Sequence, residues 1–221
     1  MGKLITFEGT DCSGKETQTN LLVERLKNEG YKVAKFSNPD YNTPTGKIIA
    51  GPYLAKFGEG YFPEGSPNVP PLVASLYYSA DRIYNDKKIK KALKENDIVI
   101  IDRFIHSNLA YQGARIKTKK DRENFYNNIE TIEFGFGGLT KPHATFFLYM
   151  PTDYAVQLRK GRTEKADQNE QDIEYLRRTE KVYLELCKKY NFIKIPCVRD
   201  EKIKTIFEIN DEIYKKFKKL I

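Results

Sequence analysis

The chain has 221 residues and a mass of 25.7 kDa, which fits one large domain or two small ones. Apolar residues make up 40% and charged residues 31%, which excludes a disordered or collagen-like chain, and no apolar run is long enough to span a membrane. Lysine and arginine outnumber aspartate and glutamate by 38 to 30, and the resulting net charge of +8 favours anionic partners: nucleic acid, acidic lipid or phosphorylated small molecules.

Short β-rich apolar runs alternate with longer segments of helical periodicity, the pattern of βαβ units around a parallel sheet. The predicted strands are residues 4–8, 32–36, 98–102, 145–149 and 192–195. The third and fourth are almost continuously apolar, as strands buried on both faces are. We therefore predict one α/β domain over residues 1–221, built on a five-stranded parallel sheet flanked by helices.

The segments between and after these strands divide into helices and loops. Helical periodicity runs through residues 21–29 and stops at Gly30, and it also marks residues 171–190 and 202–220. Residues 58–71 hold four prolines and three glycines and are predicted to form a loop or surface insertion. Residues 160–169 are strongly polar between two helical patterns, and we predict a mobile lid there.

Residues 9–15 read Gly-x-x-x-x-Gly-Lys, directly after a predicted strand and at the start of a predicted helix. In such a loop the glycines allow close backbone approach, and successive N–H groups and the helix N-terminus face the phosphates. Lys15 would then reach the β- and γ-phosphates. We predict that ATP binds to this loop, through Gly9, Thr10, Asp11, Cys12, Ser13, Gly14, Lys15, Glu16 and Thr17.

The position after the lysine departs from this motif. A serine or threonine usually ligates Mg²⁺ there, but this chain has Glu16, with Thr17 one step later. The Glu16 carboxylate could still touch the metal, or Asp11 and Asp102 could take over the role. We predict Mg²⁺ at Asp11 and Asp102 and leave the Glu16 alternative open.

A second motif begins where the third predicted strand ends. Asp102 would stand beside the phosphates, and Arg103 would project from the carboxyl edge of the sheet, where ligands bind in open α/β folds. The spacing Asp-Arg-Phe-x-x-Ser-x-x-Ala-Tyr over 102–111 resembles the thymidylate kinase signature, and residues 9–18 resemble that family's phosphate-binding loop. The chain is similar to the family nearly end to end, which implies a three-layer P-loop kinase fold.

The resemblance also implies a dTMP site beside the ATP site. It assigns Arg103 and the Tyr41 hydroxyl to the acceptor phosphate, Tyr78 to stacking on thymine, Arg82 to its O4 and Asn108 to its N3/O4 edge. Tyr78 as a core residue and Arg82 as a partner of a surface carboxylate remain alternatives. The full set implied for the acceptor is Asp11, Tyr41, Tyr78, Arg82, Arg103, Ser107, Asn108, Tyr111 and Gln112.

Thymidylate kinases carry a catalytic arginine either in the P-loop or in the lid. Residues 10–13 contain no basic side chain here, whereas Arg159, Lys160, Arg162 and Lys165 cluster at the predicted lid. The chain therefore resembles the lid-arginine type, and Arg159 or Arg162 is expected to reach the phosphates when the lid closes. The implied catalytic residues are Lys15, Asp11, Arg103, Arg159 and Arg162.

The resemblance implies ATP-dependent phosphorylation of dTMP to dTDP in deoxynucleotide synthesis, with ATP and Mg²⁺ as cofactors and a homodimeric enzyme. The three cysteines show no pairing pattern and the N-terminus turns polar early, so we expect a cytoplasmic protein without membrane or nucleic-acid partners. Alternatives are a kinase for dUMP or dGMP, or for a deoxynucleoside. Two further alternatives are a non-catalytic nucleotide switch, which Glu16 would suit, and a nucleic-acid-binding protein.

Overall fold

The computed structural model describes residues 1–56, 58, 60–159 and 172–221, and a five-stranded parallel sheet forms its centre. The spatial order of the strands is second, third, first, fourth, fifth, and every neighbouring pair is parallel. The predicted α/β class is confirmed, and the strand ends differ from the predicted ones by one residue at most. The strands are Lys3–Gly9 (β1), Val33–Ser37 (β2), Ile98–Asp102 (β3), Ala144–Tyr149 (β4) and Ile193–Pro196 (β5).

Helices cover both faces of this sheet. Two of them are followed by wider π-helical turns, at Ile49–Tyr53 and at Thr131–Phe136, and a short 3-10 turn lies at Ser66–Asn68. The α-helices are Pro44–Ile48 (α2), Pro71–Glu95 (α3), Ile105–Gly113 (α4), Lys119–Glu130 (α5), Thr152–Arg159 (α6), Ile173–Lys189 (α7) and Ile206–Phe217 (α8), with Lys15–Asn28 (α1) directly after β1.

The two layers of helices are held by two separate apolar clusters, which follows from the alternation of side chains along each strand. Val99 and Ile101 of β3 face one cluster, where α3, α4, α5 and α7 contribute residues such as Leu109. Ile98 and Ile100 face the other cluster, which α1 and α8 complete. Because β1, β3 and β4 are covered on both sides, β3 and β4 are almost entirely apolar, and β1 is apolar apart from Lys3, Thr6 and Glu8.

The register of the sheet brings three loops to one edge. Phe7 of β1 pairs with Asp102 of β3, and Ser37 of β2 pairs with the same residue. The loops that follow β1, β2 and β3 therefore start side by side at the carboxyl edge, where open α/β sheets bind ligands. This edge carries the two motifs singled out in the sequence.

The predicted C-terminal helix over 202–220 was wrong at both ends. Lys202–Ile203 (β7) pairs antiparallel with Val198–Arg199 (β6), and α8 begins only after Thr205. The start is fixed by a capping box, in which the Thr205 side chain accepts from the N–H of Glu208 and the Glu208 carboxylate accepts from the N–H of Thr205. Periodicity alone does not reveal such a boundary.

The other helix and loop predictions agree more closely. The predicted helix 171–190 spans Ile173–Lys189, with Asp172 as its N-cap. Among the described residues of the predicted loop 58–71, the regular structure before α3 begins at Pro71 is the short turn at Ser66–Asn68. The predicted lid, residues 160–169, lies outside the described residues. Within the described ranges, no helix has the length and hydropathy to cross a membrane.

Candidate active site

The loop between β1 and α1 has the geometry of a phosphate cradle. A Cβ on Gly9 would lie 2.8 Å from the backbone oxygen of Leu148, so only glycine fits there, and Gly14 has a left-handed φ of 72° just before α1. Thr10 Oγ1 donates to the carbonyl of Met150 at 2.6 Å and accepts from its N–H at 2.9 Å. These contacts fix the loop against the end of β4 and leave the N–H groups at the start of α1 available to an anion.

Lys15 supplies the positive charge of this cradle. Its ammonium donates to the carbonyl oxygens of Gly9 and Thr10, at 3.2 and 3.3 Å, and the side chain is buried. Burial, together with the neighbouring Arg103 guanidinium, lowers the pKa of Lys15 to about 8. A phosphate group entering the loop would therefore meet a desolvated ammonium, for which it is a stronger partner than the two carbonyls.

Arg103 stands opposite the loop in a strained backbone conformation. Its φ of 63° lies in the left-handed region, which costs a non-glycine residue about 1–2 kcal/mol. The conformation is held from both sides, because the Arg103 N–H donates to the carbonyl of Phe7 at 2.9 Å and the Arg103 carbonyl accepts from Asn38 Nδ2 at 2.9 Å. Strain maintained in this way is common at functional sites.

Glu8 is a buried carboxylate that supports the segment carrying Arg103. It accepts from the N–H of Phe104 at 2.9 Å, from the Ser107 hydroxyl, and from the Tyr183 hydroxyl at 3.3 Å. Burial raises the pKa of Glu8, while the hydrogen bonds from Ser107 and Phe104 lower it. Glu8 thus ties β1 to the start of α4 and to α7, directly beneath the site.

Two cavities meet at Arg103. The larger, about 660 Å³, runs along the phosphate loop, the segment after β2 and the side of α3. The smaller, about 280 Å³, lies between the loop after β2, α3 and α4. Both cavities are lined by Asp11, Asn38, Pro39, Tyr41 and Arg103. A ligand in the smaller cavity could therefore place a charged group beside Arg103, next to the larger cavity.

The smaller cavity combines aromatic walls with a few polar groups. Tyr78 lies on its wall, with its ring edge-on to Tyr53 at 5.9 Å between centroids. Asn108 Nδ2 donates to the carbonyl of Ser75 at 3.3 Å, and Asn108 Oδ1 is buried without a hydrogen-bond partner among the described residues. Arg82 also lines this cavity, and it is paired with the buried Glu133. The cavity has the size and character of a base site.

Asp11 connects the phosphate loop to the smaller cavity. Its carboxylate accepts from the Tyr111 hydroxyl at 2.7 Å and from Arg159 Nη2 at 3.3 Å. Arg159 is the last residue of α6, so the end of that helix already reaches the loop. A metal ion at Asp11 would share the carboxylate with these two donors, and the metal role of Asp11 stays a prediction.

Asp102 fits a cation better. It is buried, lines the larger cavity, and its Oδ1 has no hydrogen-bond partner within the described part of the chain. Glu16 is exposed on the first turn of α1. The described residues contain no cluster of three or more acidic, histidine or cysteine ligands, so a bound Mg²⁺ would draw much of its coordination from substrate phosphates and water.

Comparison with known proteins assigns this site to a family. The sequence matches the thymidylate kinase family profile over residues 7–205. The chain belongs to the thymidylate kinase family. It is 31% identical to the probable thymidylate kinase of Methanocaldococcus jannaschii, over 95% of this chain and 92% of the relative. It is 32% identical to the thymidylate kinase of Caldanaerobacter subterraneus subsp. tengcongensis, over 86% of this chain and 83% of that relative.

Solved structures show the same fold. The thymidylate kinase structure from Candida albicans superposes with a TM-score of 0.74 at 24% identity, covering 99% of this chain and 92% of that one. The thymidylate kinase from Ehrlichia chaffeensis gives a TM-score of 0.69 at 24% identity, covering 98% of both chains. The predicted P-loop kinase fold is thereby confirmed, and family membership makes the chain a nucleoside monophosphate kinase.

Most of the site residues predicted for this thymidylate kinase lie around the two cavities. The larger is lined by all of 11–17 and by Tyr41, Asp102 and Arg103, and the smaller also by Tyr78, Arg82, Ser107, Asn108, Tyr111 and Gln112. Gln112 Oε1 accepts from Arg115 Nη1 at 2.9 Å. Arg162 lies outside the described residues. The roles of these residues remain predictions.

His106 is a packing residue. It is buried between the rings of Tyr190 and Phe192, at 4.9 and 4.7 Å between centroids, and lines neither cavity. Burial, together with the nearby charge of Arg82, lowers the pKa of His106 to about 3, so the ring is neutral at physiological pH. It offers no proton for catalysis.

The thymidylate kinase site also contains polar residues that the sequence did not reveal. Glu8 and Glu133 are fully buried carboxylates, and Tyr183 joins Glu8 and Ser107 through its hydroxyl. Tyr175 lines the smaller cavity and donates to the carbonyl of Tyr111 at 2.7 Å. Glu8 adjoins the phosphate motif and could have been suspected, whereas Glu133, Tyr175 and Tyr183 lie in segments without a motif.

Proposed function

We propose that this enzyme transfers the γ-phosphoryl group of ATP to dTMP, giving dTDP and ADP, and that Arg103 holds the acceptor phosphate. The supporting observation is the position of Arg103 between a phosphate cradle and a cavity of base size. A guanidinium binds a phosphate through a planar pair of N–H groups, which suits a monophosphate ester at that junction. A nucleoside kinase would have no use for it.

The transfer depends on position and charge. Lys15 would leave the carbonyls of Gly9 and Thr10 and follow the β- and γ-phosphates, and Arg103 would keep the acceptor oxygen in line. Arg159, at the end of α6, would add charge beside the transferred group. The acceptor phosphate has a second pKa of about 6 and is largely dianionic at neutral pH, so no general base is needed.

Mg²⁺ would be held by Asp102 together with the nucleotide phosphates. When bound, it neutralises charge on the β- and γ-phosphates. Asp11 then serves mainly as the acceptor for Tyr111 and Arg159, which positions the sugar-side tyrosine and the end of α6. Direct coordination of Mg²⁺ by Asp11 or by Glu16 is the less favoured arrangement.

The smaller cavity suits thymine. Asn108 Oδ1 is an acceptor for a ring N–H, Arg82 is a donor for the adjacent carbonyl, and Tyr78 offers a ring for stacking. Uracil carries the same hydrogen-bonding edge, so dUMP is the natural second acceptor. Guanine also carries it, but a purine needs more room in a cavity of about 280 Å³.

The enzyme is also proposed to be a homodimer that works in the cytoplasm. Apolar residues are exposed along one side of α3, at Leu72, Leu76 and Tyr84, and on the adjacent turn Phe136 is 88% exposed. Such a stripe is typical of a subunit interface. The three cysteines are free, as in proteins of a reducing compartment. Light scattering should give twice the 25.7 kDa chain mass, and Leu76→Glu should shift it toward the monomer.

An acceptor screen tests the proposed activity. The purified protein is incubated with ATP, Mg²⁺ and one of dTMP, dUMP, dGMP, dCMP or thymidine, and ADP release is followed. We expect dTMP to be the best acceptor, dUMP the next, and thymidine and dCMP to be poor. Best turnover with thymidine would contradict the role of Arg103, and ATP binding without transfer to any acceptor would favour a nucleotide switch.

A further inference from the structure

The base cavity contains an ion pair that the family signature does not include. Arg82 Nε donates to Glu133 Oε2 at 2.6 Å, Arg82 Nη2 donates to Glu133 Oε1, and the Ser79 hydroxyl donates to the same Oε1 at 2.7 Å. Arg82 is 2% exposed and Glu133 is not exposed at all. Glu133 comes from the π-helical turn Thr131–Phe136 and lies 51 residues along the chain from Arg82.

This pairing restricts what Arg82 can do. Two parallel hydrogen bonds to one carboxylate fix the plane of a guanidinium as well as its position. Because Glu133 uses the Nε–H and one N–H of Nη2, the N–H groups that Arg82 can still offer to the cavity are those of Nη1 and the second N–H of Nη2. The carboxylate also cancels the charge of Arg82, so the cavity presents a directed N–H donor rather than an unpaired cation.

The donor faces a site that also holds one fixed acceptor. Asn108 Nδ2 is committed to the carbonyl of Ser75, which leaves Asn108 Oδ1 for the ligand. A fixed donor beside a fixed acceptor matches a base with a carbonyl next to a ring N–H, as in thymine. Cytosine presents an amino group and an unprotonated ring nitrogen at these positions, so both of its contacts would be mismatched.

We propose that Glu133 is a positioning residue that sets the base selectivity of the acceptor site by holding Arg82 in a single orientation. Without the carboxylate, the guanidinium could turn toward the ring nitrogen or the O2 carbonyl of cytosine, both of which are acceptors. Glu133 therefore acts against dCMP as well as in favour of dTMP. The inference rests on the proposed dTMP kinase activity.

The test compares Glu133→Gln with the wild type, with Glu95→Gln as a control for the loss of one carboxylate, since Glu95 is an exposed residue paired with Lys91. Steady-state rates are measured for dTMP and dCMP at saturating ATP, and the KM for ATP at saturating dTMP. In Glu133→Gln, kcat/KM for dTMP should fall at least tenfold, mainly through KM. The ratio of kcat/KM between dTMP and dCMP should fall about tenfold, and the KM for ATP should stay within about twofold.

The ratio is the decisive readout, because a partly unfolded sample lowers both rates equally and leaves it unchanged. An unchanged ratio, or an equal fall in kcat for both substrates, would overturn the inference. If Glu133→Gln does not fold, Ser79→Ala tests the same point, since it removes one hydrogen bond to Glu133 and keeps both charges. It should lower the ratio about twofold to threefold, and no change would count against the proposal.

The wild-type protein separates this inference from the proposed function. If it fails to phosphorylate dTMP, the proposed function is wrong and no selectivity can be assigned. If it phosphorylates dTMP and discriminates against dCMP, while Glu133→Gln keeps the same discrimination, only the role of Glu133 is wrong.

Discussion

The phosphate end and the base end of the cleft hold their ligand groups in different ways. The phosphate end relies on backbone geometry and net charge, with a left-handed Arg103 and a buried Lys15 on neighbouring loops of one sheet edge. The base end relies on rings and on an ion pair whose charges cancel, between Arg82 and Glu133. We expect the first arrangement to accept any phosphate ester and the second to distinguish one base from another.

This difference predicts how substitutions will behave. A change at the phosphate end should affect the transfer step, since charge there stabilises the transition state. A change at the base end should affect the KM for dTMP and the choice of acceptor, while the KM for ATP should stay unchanged. The predictions below separate these two outcomes, in order of decreasing effect.

Lys15→Ala should have the largest effect. It removes the ammonium that neutralises the β- and γ-phosphates as the transition state forms, and kcat should fall at least about 10²-fold. Lys35→Ala is the control, because Lys35 lines the same cavity but donates to Asn20. Turnover close to wild type in Lys15→Ala, or an equal loss in the control, would refute the assignment of the phosphate loop.

Tyr78→Leu should raise the KM for dTMP about tenfold and leave kcat and the KM for ATP nearly unchanged. Stacking of a base on an aromatic ring contributes about 1–3 kcal/mol, and leucine keeps much of the bulk against Tyr53 without the ring face. Steady-state kinetics with each substrate varied in turn measure this. A fall in kcat with no change in KM would remove Tyr78 from the base site.

The pH dependence should also distinguish the two ends. Lys15 binds phosphates only when protonated, and its pKa of about 8 means that kcat/KM for ATP should fall above that pH, by up to tenfold per unit. At saturating ATP, kcat/KM for dTMP should stay flat through this range, because bound phosphates raise the pKa of Lys15. In Lys15→Arg this fall in kcat/KM at alkaline pH should disappear, because arginine stays protonated. If the fall persists in the variant, it is caused by another titrating group.

Glu16→Thr should have the smallest effect. It restores the hydroxyl found in the usual motif, and since Asp102 already offers a carboxylate oxygen, activity should be similar or slightly higher. A Mg²⁺ titration of both proteins checks this. A several-fold higher Mg²⁺ requirement in the variant would mean that the Glu16 carboxylate had joined the metal shell.

The two ends also differ in how far the sequence predicts them. The phosphate end lies in two contiguous motifs, after β1 and after β3, and the parallel register brings them together. The base end is assembled from α3, α4, α7 and the turn at Thr131–Phe136. A single buried glutamate such as Glu133 has no local signature, because its role depends on a contact with Arg82 that only the fold creates.

The same limit applies outside the base end. Asp11 is predicted as a metal ligand from its place in the motif, and the sequence does not show that Tyr111 and Arg159, which are distant along the chain, donate to its carboxylate. The C-terminal helix was predicted too long, because its first residues, Lys202–Ile203, instead pair with Val198–Arg199 in a hairpin that depends on a tertiary contact. Local patterns predict elements, and tertiary contacts decide their ends and partners.

The most direct test of the account is the affinity of dTMP and thymidine for the wild type and for Arg103→Ala, measured by calorimetry. The wild type should bind dTMP at least tenfold more tightly than thymidine. A bidentate contact to a charged phosphate should contribute more binding free energy than the roughly 1.5–3 kcal/mol of a single hydrogen bond to a charged group. Arg103→Ala should bind the two with similar affinity, and Arg103→Lys should recover only part of the difference. An alanine variant that keeps the preference for dTMP would show that Arg103 does not hold the acceptor phosphate.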